Sequence, residues 1–151
     1  MASNIPPTTE TVLTPHLTIE AANQILADNF APWVQALDLR VLKCAPHEAE
    51  LLMPFSKSLV RVGGTICGQA LMSAADTAMV IAIAATRGGF VPMATVNQTV
   101  AFLRPITGRD VLIHARVTKS GKMLAFGDIQ LRAQGEEHIA VHATTTYAFA
   151  P

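Results

Sequence analysis

Aromatic side chains are scarce in this sequence: one Trp, one Tyr and six Phe make up 5% of 151 residues. A core must therefore be assembled mainly from Ala, Val, Leu, Ile and Met. Charge is also sparse, at 15% of residues against a usual quarter. It is balanced, with 11 basic and 11 acidic residues and a formal net charge of +0. No global field draws such a chain to nucleic acid or to an anionic membrane, and no basic run is long enough to form a binding arm. With only two cysteines, Cys44 and Cys67, a disulfide scaffold is excluded and a reducing, cytoplasmic compartment is expected. The segment 1–15 is polar, carries Pro6, Pro7 and Pro15, and lacks the basic start and apolar stretch of a signal peptide. It reads as a flexible N-terminal segment ahead of a single domain spanning 16–151. Low charge in so small a domain suggests that part of its surface is covered by another subunit.

Hydrophobic patterning then supplies the elements. Thr18 is placed to cap a helix through Leu26, and Pro32 ends it or opens a second short one. Alternation from Leu37 to Val41 and from Ala49 to Met53 predicts two strands joined around Ala45-Pro46-His47, with Pro54 closing the second. An Ala-rich segment from about Cys67 to Thr86 is apolar nearly all round and stops at Gly88-Gly89. A central Asp76 costs roughly 2.5–3.5 kcal/mol in a bilayer, so this segment is expected to be a helix buried in protein, not a membrane span. Strand-like runs follow over 96–103, 111–117, 123–133 and 139–149, separated by short turns. The order predicts an α+β domain, an antiparallel meander wrapped around one long helix.

Chemistry concentrates in Arg61–Asp76. Glycines crowd the start of the long helix, where free N–H groups and the dipole favour negative charge. Two turns later stands Asp76, the only charged residue between Arg61 and Arg87. A carboxylate in such surroundings is costly unless paired, hydrogen-bonded or functional, and could serve as a general base or a nucleophile. Composition alone leaves a purely structural Asp76 equally open, and Gly63 and Gly64 read first as turn residues. Cys67, near a helix N-terminus, is more naturally packing than a nucleophile. His138 and His142, four apart in a β-type segment, would stand roughly 13 Å apart, too far to share a metal. No metal or cofactor is expected.

The run Gly64-Thr65-Ile66-Cys67-Gly68, followed eight residues later by Asp76, resembles the active-site helix of PaaI-like hotdog thioesterases. That family's usual form is Asn-x-x-Gly-x-x-His-Gly-Gly with a helical Asp. The likeness continues through Thr95–Gly108 and Lys119–Phe126 and covers roughly 37–149. It implies a hotdog fold and hydrolysis of an acyl-CoA to a carboxylic acid and CoA. It further implies a homodimer or homotetramer with active sites at the subunit interface. Asp76 matches the catalytic carboxylate, Gly68 the glycine whose N–H faces the thioester oxygen, and Thr95 a hydroxyl that places water, often from the opposite subunit. The substrate-binding set on the same footing is Arg61, Gly64, Cys67, Gln69, Met72, Asn97, Arg104 and Lys122. Arg104 and Lys122 are the expected partners of the CoA phosphates, and Leu71, Met72 and Met79 would line the acyl group. Arg61, Cys67 and Gln69 replace the usual Asn, His and second Gly. A non-catalytic acyl-CoA binding module and an enoyl-thioester hydratase are the alternatives.

Overall fold

The computed structural model describes residues 16–151; the expected flexible segment over 1–15 lies outside the described residues. The chain runs α1 (Ile19–Asn29), α2 (Pro32–Gln35), β1 (Arg40–Ala45), β2 (Glu48–Met53), a 3-10 turn (Lys57–Leu59), α3 (Gly68–Arg87), then β3 (Met93–Phe102), β4 (Val111–Ser120), β5 (Leu124–Ala133) and β6 (Val141–Phe149). All six strands form one antiparallel sheet in the order β1-β2-β4-β5-β6-β3, curled about α3. This is the hotdog arrangement.

Local chemistry sets the boundaries. Thr18 caps α1 by accepting from the Ala21 N–H at 3.1 Å. α3 stops where Gly88 takes a left-handed φ of 78°, its N–H closing on the Ala84 carbonyl. The first strand begins at Arg40 rather than at Leu37. The Leu37 and Asp38 N–H groups close the turn after α2 onto Val34 and Gln35, and Asp38 has φ 54°, so the chain is not extended there. His138 likewise precedes the last strand, which starts at Val141.

α3 is long and apolar enough to cross a membrane, but most of it is buried against the sheet. Its alanines Ala74, Ala75, Ala78, Ala82 and Ala84 are fully enclosed and let the strands approach closely. Met79 fills the closest approach: a Cβ built on Gly127 of β5 would overlap the Met79 Cε and Sδ. The core therefore depends on small residues on both sides, in keeping with the shortage of aromatics.

One irregularity orients the site. The β3–β6 register runs Thr95↔Tyr147 and then Asn97↔Thr146, leaving Val96 as an extra residue in a β-bulge. Beyond it, Gln98 and Phe102 reach α3, the former through Nε2 to the Met72 carbonyl at 3.0 Å and the latter over Gly68. Unbroken alternation from these even positions would aim Val96 at the helix. The surplus residue instead turns Thr95 inward and leaves Val96 61% exposed.

Candidate active site

Asp76 stands at mid-helix on α3, half-buried, on the side facing β3 and β6. The Thr95 Oγ1 donates to its Oδ1 at 2.9 Å. The Tyr147 phenol, on β6, also donates to Oδ1 and lies 2.7 Å from the Asp76 backbone carbonyl. Among the described residues nothing hydrogen-bonds Oδ2, and that oxygen is not sealed from solvent. Tyr147 is only 1% exposed. Burial, joined by the neighbouring Asp76 charge, pushes its phenol well above the ordinary tyrosine range, so it is a permanent donor. Among the described residues Asp76 has no ion-pair partner, which removes the closed-salt-bridge explanation for its position. A carboxylate with one oxygen held and the other open can accept a proton from water or attack a carbonyl.

The second half of the site lies at the N-terminus of α3. Gly68 is its first residue, Cys67 occupies the cap position, and no side chain caps the exposed N–H groups. The Phe102 ring covers Gly68, 3.1 Å from where a Cβ would be. A cleft of about 420 Å³ opens here, lined among others by Arg61, Gly68, Leu71, Phe102 and Arg104. Gly63 and Gly64 take φ of 101° and 82° and build the turn that bonds the Arg61 N–H to the Thr65 carbonyl at 2.9 Å. The Arg61 Nη1 bends back to the Val62 carbonyl at 3.0 Å. Cys67 is half-buried and packs against the core.

The remaining sequence candidates do not all converge. Gln69 and Met72 lie exposed on α3. Asn97 is exposed, and alternation from Gln98 turns it away from α3. Arg104 follows β3 and donates to the Ile139 carbonyl at 3.1 Å, near the N-terminal end of α3. Lys122 sits in the β4–β5 turn, next to Gly121, whose carbonyl accepts from Arg87 at the other end of α3. The ten-residue β4 separates the two basic residues by roughly 30 Å, so one chain cannot place both on one nucleotide. Met79 is fully buried against Gly127 and lines no open cavity, unlike Leu71. Among the described residues no His, Cys, Asp and Glu group has the spacing to hold a metal. Tyr147 escaped the sequence reading as a site residue. The available signal was a lone tyrosine on the buried face of the last strand, whose hydroxyl needs a partner.

Comparison with known proteins agrees with this geometry. The sequence model of the Thioesterase superfamily matches residues 63–140, from the glycine turn before α3 to the threshold of β6. The structure of zebrafish thioesterase superfamily member 2 superposes with a TM-score of 0.79 at 26% identity, covering 89% of this chain and 99% of that one. A thioesterase family protein from Silicibacter pomeroyi gives a TM-score of 0.72 at 26% identity over 84% and 96% of the two chains. The PaaI protein of the phenylacetic acid degradation operon of E. coli shares the fold, with a TM-score of 0.76 at 20% identity over 87% and 92%. The chain thus belongs to the thioesterase superfamily, as a PaaI-like hotdog thioester hydrolase.

Proposed function

We propose that this protein hydrolyses acyl-CoA thioesters with Asp76 as the reacting carboxylate. The observation that carries the reading is the division of that carboxylate: Oδ1 is occupied by Thr95 and Tyr147, while Oδ2 remains available. Asp76 takes a proton from water as the water oxygen adds to the thioester carbonyl. The tetrahedral intermediate then expels the CoA sulfur, which recovers the proton. If Oδ2 instead attacks the carbonyl and expels the CoA thiolate, a mixed anhydride forms, and water attacking its aspartyl carbon releases the acid and regenerates Asp76. Single turnover in ¹⁸O-water separates the two, because only the second route leaves label in Asp76.

The oxyanion of the intermediate requires donors, and the uncapped N–H groups at Gly68 are suited to it. Eight residues of helix place Gly68 about 12 Å from Asp76 along the axis, too far for one carbonyl to meet both. The reading therefore requires a second copy, whose Gly68 approaches this chain's Asp76. β3 supports such pairing: it is a ten-residue edge strand with exposed Val96 and Phe102, followed by exposed Leu103. The Gln98 Oε1, buried without a partner on that strand, also fits an edge that is completed by association. A homodimer, or a homotetramer of two such dimers, follows. Arg61 and Arg104, both on the α3 cleft, are the better candidates for the CoA phosphates, and Lys122 would join them only from another subunit. Gly64, Cys67, Gln69, Met72 and Asn97 complete the proposed substrate contacts. The region 16–151 acts as one domain around a single core, and two free thiols, Cys44 and Cys67, suit a cytoplasmic setting.

The test is thiol release from short, medium, long and aromatic acyl-CoAs by wild type and Asp76→Asn. Hydrolysis by wild type and its loss in the variant are expected. Binding without turnover, unaffected by Asp76→Asn, would replace the enzyme with a binding module. Hydration of an enoyl thioester, followed by absorbance, would point to the hydratase.

A further inference from the structure

We infer that Tyr147 is a positioning residue that fixes which oxygen of Asp76 reacts. The inference rests on the proposed thioester hydrolysis. The phenol has one proton and faces two acceptors, the Asp76 Oδ1 and the Asp76 backbone carbonyl. An ionised carboxylate is the stronger acceptor, so the proton goes to Oδ1, the oxygen that Thr95 already holds. Two donors on one oxygen lock the carboxylate rotor and direct Oδ2 outward.

The side chain is placed for nothing else. Tyr147 is the chain's one tyrosine, at 1% exposure on the inward face of β6, where Phe would fill the same space. Its register partners are Thr95 on β3 and Ala125 on β5, so β6 carries the phenol between its two neighbours and under α3. Tyr147 and Thr95 are cross-strand neighbours immediately before the Val96 bulge. The register shift therefore brings Thr95 alongside Tyr147, and both donate to one oxygen. Neither touches Oδ2, so Tyr147 acts through Asp76 and not on the substrate.

The test is Tyr147→Phe in two backgrounds. In the wild-type background kcat is expected to fall about tenfold or more, the size of one hydrogen bond to a charged group, with KM unchanged. In Asp76→Asn the same substitution leaves the residual rate unchanged, since there is no carboxylate left to orient. An equal loss in both backgrounds, or full kcat in Tyr147→Phe, overturns the assignment while the proposed function stands. An inactive wild type overturns the proposed function and the assignment with it. Folding of the variant does not limit the test. With ¹³C at the tyrosine Cζ, the single resonance of the unmutated ring reports the acceptor of its phenol and is expected to move between wild type and Asp76→Asn. A resonance at the same position in both also overturns the assignment.

Discussion

Gly127→Ala tests the closeness of sheet and helix on which the site depends. The new Cβ would overlap the Met79 Cε and Sδ and lie 3.0 Å from the Arg116 carbonyl oxygen. The thioether is flexible, but Met79 is fully buried and the carbonyl belongs to the paired strand β4, so neither can yield freely. Overpacking of this kind costs about 1–3 kcal/mol. For a domain of this size that corresponds to a fall in Tm of roughly 2–12 °C. Met79→Ala alone empties the same spot and costs about 2–5 kcal/mol. In the double variant the methyl introduced on β5 enters the vacated volume, so its loss should be smaller than the sum of the two. Met79 lies one turn beyond Asp76, so pushing the helix outward should also lower kcat, and Met79→Ala in the Gly127→Ala background should restore part of it. Thermal melts of the four proteins, with kcat measured on each, decide the matter. An unchanged Tm in Gly127→Ala, or strict additivity, would refute the claim that helix and sheet meet at this point without spare room.

Asp76→Asn should reduce kcat by about 10²–10⁴, the usual contribution of a positioned proton carrier, while Tm holds or rises because a half-buried charge has been removed; a large drop in Tm would mark Asp76 as structural. Val96→Lys, at the exposed bulge of the edge strand, should shift sedimentation toward monomer and lower activity in parallel, whereas a fully active monomer would sink the shared-site reading. Burial pushes the Cys44 thiol up, so at pH 8 alkylation followed by mass spectrometry should find it slower to react than an ordinary thiol. The sign for stability follows: Cys44 supports the fold fully below the unfolded thiol's pKa and loses that support as pH rises through its own raised one, so melts above pH 8 should show a smaller decline in Cys44→Ala.

Much of the fold was legible because its signals are local. A helix apolar on every side, stopped by Gly88, has few alternatives to a wrapped sheet, and the alternation in β4 and β6 marks their inward faces directly. Asp76 was legible as the one charge in a long uncharged stretch. Other features depend on register and topology. The bulge at Val96 leaves no compositional trace, yet it decides that Thr95 faces the carboxylate. Tyr147 lies 71 residues from Asp76, and their contact exists only because β6 passes under α3. Arg104 and Lys122 are close in sequence, but an intervening strand carries them to opposite ends of the molecule. The positive φ of Asp38, which delays β1, belongs to a non-glycine residue and gives no warning in the sequence.

The surplus residue in β3 makes the strand behave like a ruler with one extra notch. Replacing the Val96 side chain changes only what the edge presents outward, and removing its codon would close the ladder with Thr95 still opposite Tyr147 and still facing the acid. Losing a residue away from the notch, such as Thr99, with the bulge kept would instead exchange the inward and outward faces beyond the cut and turn Phe102 away from Gly68. Along this strand, the count of residues on each side of the notch is a stricter constraint than the identity of the residue in it.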